Sequence, residues 1–297
     1  MEKTVISWTL NDYCRAQCEY CPTHVRGGLA PHETSEYLRV ANQLISHYRD
    51  RLGRSIHWII NGGEPLDIDD IAMVLKVFKA GGESVTLHTN GGKLWIDWWA
   101  IEPYVDNLVL TFHFWQNPAL IKYLIQTYTE KNKSIQITAP IRHRYVKEDL
   151  ARVEALEKDT GFVIVKSLLY REGSVELGLY NYDTEDLRLI DISNGKLDEG
   201  GTSAVEQQEY YQETTWDDRY KDTYSSNPVY TGQMCNAGIE RLYIGALGWV
   251  SGSACNNQPM GNVFNSFNPP DSPQKCGMIA CVNNDDQLIT KFPLGAL

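Results

Sequence analysis

The feature that most constrains the fold is a regular alternation of two kinds of segment between residues 5 and 170. Short apolar runs, typical of buried strands, are separated by longer segments whose apolar residues recur at helical spacing. Because strands that alternate with helices form right-handed β-α-β units, the pattern predicts a parallel sheet. The strands are predicted at residues 5–10, 56–60, 85–89, 108–114, 135–138 and 162–169, and the helices at residues 35–51, 68–79, 94–104, 119–130 and 148–159.

Six strands are too few to close the usual eight-stranded barrel, so the expected fold is α/β, an open partial (β/α)6 barrel. Residue types that carry chemistry follow these strands, where the carboxyl ends of parallel strands meet at one edge of the sheet. The sequence therefore predicts one site at that edge. Its candidate residues, in chain order, are Cys14, Cys18, Cys21, Gly62, Gly63, Glu64, Pro65, Thr89, Asn90, His113, Arg142 and Leu169.

The first of these groups is a cysteine triplet with C-x3-C-x2-C spacing, directly after the first strand. Three closely spaced thiolates can hold three irons of a cubane 4Fe-4S cluster, for which four cysteines are the usual ligand set. A site of three leaves one iron open to an outside ligand. The alternative is a structural zinc site, which usually needs a fourth ligand at finger-like spacing.

Together with the Gly-Gly-Glu-Pro run after the second strand, the triplet resembles the radical S-adenosylmethionine (SAM) superfamily. The resemblance also includes Tyr20, the aromatic residue before the last cysteine, and it covers residues 1–172. It implies a SAM-binding 4Fe-4S cluster on Cys14, Cys18 and Cys21. It further implies an enzyme that cleaves SAM reductively to a 5′-deoxyadenosyl radical, which abstracts hydrogen from a substrate C–H bond.

The resemblance also implies roles in SAM binding for the other candidate residues. Tyr20 and Leu169 would lie against the adenine, and Arg142 would pair with a carboxylate. Ordinary structural roles remain open: a strand-ending turn for the residues after the third strand, a satisfied histidine at His113, and a surface ion pair for Arg142. Gly62 and Gly63 would leave room for the methionine portion of SAM. Glu64 or its backbone would accept a hydrogen bond from the ammonium group of SAM. The SAM carboxylate or ribose would contact Thr89, Asn90 or His113.

Four further cysteines, Cys235, Cys255, Cys276 and Cys281, lie near the end of the sequence. Residues 242–250 predict a β-hairpin that would bring Cys235 and Cys255 together. Four thiolates on a small glycine-rich module suit a second cluster or a zinc site. The module resembles the auxiliary-cluster modules of radical SAM enzymes called SPASM and twitch. Since the full SPASM pattern has seven cysteines, the shorter twitch module with one auxiliary 4Fe-4S cluster is the closer match.

The auxiliary cluster would accept an electron from the substrate, relay electrons to the first cluster, or bind substrate. Between the two cysteine-bearing regions lies an acidic segment, residues 172–230, with 14 acidic and 4 basic residues in a chain of net charge -11. It predicts a division into a core (1–172), a connecting segment (173–230) and a C-terminal module (231–297). The segment's first part predicts additional strands at 175–180 and 187–192. Its aromatic residues suit either a lid over the site or a structural bridge; they are Tyr210, Tyr211, Trp216, Tyr220 and Tyr224.

Composition excludes several classes of protein. Hydrophobic residues make up 42% and charged residues 22% of the chain, as in ordinary globular proteins. No apolar run approaches the ~18 residues of a membrane span, and the N-terminus lacks the build of a signal peptide, so a cytoplasmic protein is expected. Reduced thiols there favour metal ligation over disulfides. The acidic chain without a basic patch argues against tight binding to a nucleic-acid backbone.

The resulting hypothesis is a radical SAM enzyme that modifies a ribosomally made peptide and takes electrons from a donor such as flavodoxin or ferredoxin. The sequence begins at the first strand and carries one auxiliary site, and both features favour a small substrate instead. The alternatives are therefore a dehydrogenase of sugar or aminoglycoside alcohols and an enzyme that modifies a nucleotide or base. A non-catalytic iron–sulfur carrier or sensor is the alternative from another class.

Overall fold

The computed structural model describes residues 2–22, 25, 28, 32–82, 84–92, 97–171, 178–195, 204, 230–255, 259–278, 281 and 284–295. The six predicted strands are all present, and each runs parallel to the next. The predicted α/β fold with an open partial barrel is therefore confirmed. The strands are β1 (Lys3–Thr9), β2 (Ser55–Asn61), β3 (Ser84–Thr89), β4 (Asn107–Thr111), β5 (Ser134–Pro140) and β6 (Val165–Ser167).

Helices lie at the five predicted places, but of the helix predicted at 94–104 the described residues show a four-residue α-helix at Trp98–Ile101 and a 3-10 turn. The first continues beyond Ile45 as a π-helical turn over Ser46–Arg51, and short 3-10 turns cover Pro65–Asp67 and Glu102–Tyr104. The helices are α1 (Thr34–Ile45), α2 (Ile71–Gly81), α3 (Trp98–Ile101), α4 (Pro118–Glu130), α5 (Val146–Thr160) and α6 (Thr184–Ser193).

Alternate residues of the strands face two different environments. In β1, Ile6 and Trp8 are fully buried on the face that carries the helices, whereas Ser7 and Thr9 on the other face are half-buried. The Phe78 ring of α2 lies 4.4 Å from Trp58 of β2 and 5.7 Å from Trp8, centroid to centroid. The core therefore lies between the sheet and its helices, and the opposite face lines the hollow of the open barrel.

The sheet continues beyond β1 on its other side. The predicted hairpin forms from β8 (Arg241–Ile244) and β9 (Trp249–Ser251), and β10 (Pro259–Asn262) pairs with β9. Strand β8 runs parallel to β1, with Val5 opposite Arg241. The order of the resulting nine-stranded sheet is β10-β9-β8-β1-β2-β3-β4-β5-β6. The sequence did not predict this continuity between the core and the C-terminal module.

A second, three-stranded sheet carries part of the late cysteine region. Its order is β11-β7-β12, formed by Met234–Cys235 (β7), Gln274–Lys275 (β11) and Lys291–Phe292 (β12). A short helix, α7 (Asn284–Gln287), precedes β12. Cys235 thus lies on the central strand of this small sheet.

The prediction of a strand at residues 187–192 is wrong, because these residues belong to α6. The Asp183 side chain accepts a hydrogen bond from the Asp186 N–H and caps the helix. Leu187 and Ile190 are three residues apart and both buried, which is the spacing of a helix face.

The remaining predictions for the connecting segment fall largely outside the described residues. These are residues 175–177 of the predicted strand and the five aromatic residues predicted to form either a lid or a structural bridge. Tyr170 and Leu179 form an isolated antiparallel bridge. The domain boundaries accordingly stay a prediction. Of the helices in the described parts of the chain, none is long and apolar enough to cross a lipid bilayer.

Candidate active site at the carboxyl edge of the sheet

The cysteine loop and the Gly-Gly-Glu loop continue the pairing of β1 and β2 beyond the ends of these strands. The Leu10 N–H donates to the Asn61 carbonyl at 2.9 Å, and the Gly63 N–H donates to the Asn11 carbonyl at 2.8 Å. The Glu64 N–H then donates to the Tyr13 carbonyl at 2.8 Å. The residue before Cys14 is therefore fixed by backbone hydrogen bonds to the adjacent loop.

This close approach explains both glycines. A Cβ atom at Gly63 would lie 2.3 Å from the Tyr13 carbonyl oxygen, and one at Gly62 would lie 2.8 Å from the Asn11 carbonyl oxygen. Both distances are shorter than any side chain tolerates. The glycines thus admit the backbone of the cysteine loop, which is a reason that the sequence interpretation did not include.

The three thiols of the first triplet lie together in the loop after β1. Cys14 and Cys18 are buried and Cys21 is half-buried, and the Cys21 N–H donates to the Cys18 carbonyl at 3.0 Å. A side-chain hydrogen bond with Cys21, aided by His113, lowers the pKa of Cys18 to about 3 despite its burial. Burial raises the pKa of Cys14. None of the seven cysteines, all of which the structure describes, forms a disulfide.

Glu64 joins the second loop to the third. Its buried carboxylate accepts from the Thr89 hydroxyl at 2.6 Å, from the Asn90 N–H at 2.7 Å and from the Leu66 N–H at 2.9 Å. Burial raises its pKa to about 7, against the opposing effect of these three donors. Pro65 is the first residue of the 3-10 turn that follows. The structure therefore gives Glu64 partners within the chain, and its contact with SAM stays a prediction.

Asn90 extends the same network toward the thiols. Its Nδ2 donates to the Cys14 Sγ at 3.5 Å, and its carbonyl accepts from the Gln116 side chain. Gln116 Oε1 in turn accepts from the His113 N–H at 2.5 Å. Gln116 is a buried positioning residue that the sequence analysis missed. It follows the fourth strand, just as the predicted site residues follow the strands that carry them.

The His113 ring lies nearly parallel to two neighbouring aromatic rings. It lies 5.9 Å from the ring of Tyr20 and 5.4 Å from that of Trp115, centroid to centroid, with interplanar angles of 18° and 7°. The His113 Nδ1 lies 2.5 Å from the Tyr20 hydroxyl and 4.0 Å from the Cys18 Sγ. Burial raises the pKa of Tyr20 far above its usual value. His113 thus has partners within the protein, as expected for the alternative of a histidine that is satisfied by internal hydrogen bonds.

Arg142 also has an internal partner. Its guanidinium makes a bidentate ion pair with Asp149, with Nε and Nη2 at 3.0 and 2.7 Å from the two carboxylate oxygens. The guanidinium also lies 3.7 Å from the Phe114 ring centroid and 4.3 Å from that of Tyr145. Since Asp149 is buried, this is not the surface ion pair considered as the alternative. Binding of a SAM carboxylate by Arg142 stays a prediction.

A cavity of about 330 Å³ brings most of the candidate residues together. All three cysteines of the triplet line it, and residues from the carboxyl ends of the first six strands complete its wall. Glu64, Pro65 and Arg142 are not among its lining residues. The predicted residues that line it are Cys14, Cys18, Cys21, Tyr20, Gly62, Gly63, Thr89, Asn90, His113 and Leu169.

The late cysteines form a second group, at the other end of the hollow. Cys235 lies on β7, six residues before β8 begins opposite Val5, and Cys255 lies four residues after β9 ends. Burial, with smaller contributions from the charges of Cys276 and Cys281, raises the pKa of Cys235 to about 11. Burial likewise raises the pKa of Cys281, on which the charge of Cys255 also acts. Cys235 and Cys276 pack in one buried cluster, and hydrogen bonds to Asp286 link Cys255 with Cys281.

Asp286 orders the chain around the second group. Its buried carboxylate accepts from the Ala254 N–H at 3.0 Å and from the Cys255 N–H at 2.8 Å. Its carbonyl accepts from the Cys281 thiol at 3.5 Å. One residue therefore fixes two of the four cysteines, and no motif in the sequence indicated it.

Within the described part of the chain, no three His, Cys, Asp or Glu side chains converge as ligands of one metal ion do. A tetrahedral zinc ion needs ligands that meet at one point. A cubane cluster distributes its cysteines over several irons, so its ligands stand further apart. Within the residues that the structure describes, neither cysteine group is arranged as the ligand set of a single zinc ion.

No protein-family model and no curated protein matches the sequence. The structure resembles that of Streptococcus suis SuiB bound to S-adenosylmethionine, with a TM-score of 0.50 and 16% identity over 89% of this chain and 64% of the SuiB chain. SuiB bound to its precursor peptide SuiA gives a TM-score of 0.50 and 16% identity, over 90% of this chain and 63% of that one. The chain has the fold of SuiB. It spans less than two thirds of the SuiB chain, and at this identity the likeness concerns the fold alone.

The glycine contacts generate a prediction for Gly63→Ala. Because the added methyl group would overlap the Tyr13 carbonyl, the substitution should displace the cysteine loop and lower the free energy of unfolding by about 1–3 kcal/mol. Denaturant unfolding checks this. Gly245→Ala is the matched control, since a Cβ there meets no atom closer than 3.8 Å. Equal stability of the two variants would contradict the proposed role of Gly63.

Proposed function

We propose that the protein is a radical SAM enzyme with its catalytic 4Fe-4S cluster on Cys14, Cys18 and Cys21. The observation that carries the proposal is the backbone pairing that fixes the cysteine loop against Gly63 and Glu64, beside a cavity at the carboxyl edge of the sheet. Its fold is also that of SuiB, whose structure has been determined with S-adenosylmethionine. Sequence motif and fold thus support the same chemistry.

The donor set fits such a cluster. Three thiols account for three irons, and the fourth iron would face the cavity, where SAM would bind. When bound, the cluster and SAM would supply a 5′-deoxyadenosyl radical that abstracts a hydrogen atom from a substrate C–H bond. The low pKa of Cys18 favours its thiolate, which is the form that binds iron.

The surrounding side chains would orient these groups. The Asn90 amide donates to the Cys14 sulfur, an interaction that stabilises negative charge on a thiolate ligand. His113 holds the Tyr20 hydroxyl and so fixes a ring that lines the cavity. Glu64 holds Thr89 and Asn90 in place through hydrogen bonds to its buried carboxylate. In this proposal these residues shape the SAM site, while Leu169 contributes an apolar wall.

We further propose an auxiliary 4Fe-4S cluster on Cys235, Cys255, Cys276 and Cys281, in a module of the twitch type. Four thiols that influence one another electrostatically, in a region ordered by Asp286, match the usual ligand set of a fully coordinated cluster. Full coordination favours a role in electron transfer over direct binding of substrate.

A substrate would occupy the hollow between the two cysteine groups. A cavity of about 540 Å³ there is lined by uncharged residues from β1, β8 and β9, among them Thr9, Tyr243, Trp249 and Ala254. Thr9 directly precedes the segment that leads to the cysteine loop, and Ala254 adjoins Cys255. The proposed substrate is a ribosomally made peptide, which the structure of SuiB with precursor peptide SuiA supports. A flavodoxin or ferredoxin would supply electrons in the cytoplasm.

The first prediction of this proposal concerns SAM cleavage. The anaerobically reconstituted protein, incubated with SAM and dithionite, should release 5′-deoxyadenosine and methionine, measured by chromatography and mass spectrometry. Cys18→Ala should reduce the release to the level of a reaction without dithionite. If the wild-type protein binds iron but releases no 5′-deoxyadenosine, the enzyme hypothesis is wrong and a non-catalytic iron–sulfur protein is favoured.

The second prediction concerns the number of clusters. The wild-type protein should bind about eight irons per chain, and alanine at all four late cysteines should leave about four. Iron and sulfide analysis of the reconstituted proteins checks both values. If the fourfold variant keeps eight irons, the late cysteines are not cluster ligands.

The third prediction concerns the substrate. A short peptide encoded beside the gene should change in mass when it is co-expressed with the wild-type protein and stay unchanged with Cys18→Ala, as measured by mass spectrometry. If the peptide stays unchanged and a sugar or aminoglycoside alcohol loses two mass units under the same conditions, the substrate is a small molecule and the peptide assignment is wrong.

A further inference from the structure

Lys291 lies beside the late cysteines. It stands on β12 directly opposite Cys235 of β7. Its Nζ donates to the carbonyl oxygens of Asp286 and Ile289, each at 2.6 Å. Because carbonyl oxygens carry no net charge, neither hydrogen bond neutralises the ammonium group.

A shared acceptor locates this charge relative to a second cysteine. The Asp286 carbonyl that accepts from Lys291 also accepts from the Cys281 thiol. Bonds of 2.6 and 3.5 Å that end on one oxygen keep the Lys291 Nζ and the Cys281 Sγ no more than about 6 Å apart. Burial raises the pKa values of Cys235 and Cys281, and the charge of Lys291 opposes this effect at both thiols.

The carboxylates nearby have partners other than Lys291, although the charge of Asp286 also acts on Cys281, where it opposes the effect of Lys291. The Asp286 carboxylate accepts from the backbone of Ala254 and Cys255. The Asp285 carboxylate lies 2.7 Å from the Arg241 guanidinium, and Glu240 accepts from the Thr290 N–H at 2.7 Å. Lys291 therefore provides a positive charge at the cysteine group without a carboxylate among its two acceptors.

We propose that Lys291 raises the reduction potential of the auxiliary cluster and so makes that site a better electron acceptor. The inference rests on the proposed assignment of the four late cysteines to a cluster. Reduction adds one negative charge to such a site, and a cation within about 6 Å stabilises the more negative state. Charge and hydrogen bonding around the sulfurs are established determinants of cluster potential.

The test uses the full chain with alanine at Cys14, Cys18 and Cys21, so that only the auxiliary cluster remains. Its potential is measured by redox titration with dithionite, followed by electron paramagnetic resonance. Lys291→Gln and Lys291→Met should each favour the oxidised state by about tenfold, equivalent to a shift of about 59 mV to more negative potential. Lys291→Arg keeps the charge and should stay close to the parent protein.

Lys275→Gln is the matched control. Lys275 lies on β11 of the same small sheet, opposite Met234, and its side chain is exposed. Its substitution removes the same charge and should leave the potential unchanged, because solvent screens an exposed charge. An equal shift in Lys275→Gln and Lys291→Gln would overturn the proposal, since it would reflect net charge rather than position.

Three further outcomes are decisive. An unchanged potential in both Lys291→Gln and Lys291→Met overturns the proposal. A shift in Lys291→Met alone assigns the effect to the hydrogen bond and also overturns it. Loss of iron from both neutral variants but not from Lys291→Arg shows instead that Lys291 stabilises the site, which also overturns the proposal.

The parent protein with alanine at the first three cysteines must bind about four irons. If it binds none, the auxiliary cluster itself is refuted, and this result is distinct from a failure of the Lys291 inference.

Discussion

The continued pairing of two loops beyond β1 and β2 is the constraint on which the site depends. Parallel strands usually separate where their loops begin, yet here the hydrogen bonds continue through Asn11 and Tyr13 to Gly63 and Glu64. The position of Cys14 is therefore set by the register of the sheet. Glycine is required at two positions because the loops lie too close for a Cβ atom. The same geometry that closes the sheet edge thus orients the thiols toward the cavity.

Glu64 shows how burial and hydrogen bonding compete at this edge. Desolvation raises its pKa to about 7, although three donors favour the ionised form. A carboxylate in that balance is costly to bury, and the hydrogen bonds that offset this cost also hold Thr89 and Asn90 in place. Through Asn90 the order reaches Cys14 and Gln116. The Glu of the motif consequently acts on the thiol loop through its neighbours as well as through any contact with ligand.

The sequence predicted what local patterns determine. Apolar runs located β1 to β6, and most of the residues predicted as a site at their ends line one cavity. Predictions failed where distant contacts decide the outcome. The pairing of β8 with β1 joins Arg241 to Val5, and a link across more than 230 residues has no local signature. The apolar run in α6 suited either a strand or a helix, and the Asp183 cap decided between them. Gln116 and Asp286 act through backbone groups, which no spacing rule identifies.

The pairing of β8 with β1 also determines how the two cysteine groups relate. The loop after β1 carries Cys14 at the carboxyl edge, whereas β9 runs antiparallel to β8 and leads Cys255 toward the opposite edge. Cys14 and Cys255 therefore follow strands of one sheet at its opposite edges, whereas Cys235 lies on the small three-stranded sheet. The half-buried polar residues of the sheet face that lines the hollow, such as Ser7 and Thr9, line a cavity between the two edges. A substrate held there would lie within reach of chemistry at one end and of an electron acceptor at the other. On the proposed assignment of a cluster to the late cysteines, the charge of Lys291 would act on the reaction through that cluster, without contact with the first cysteine group.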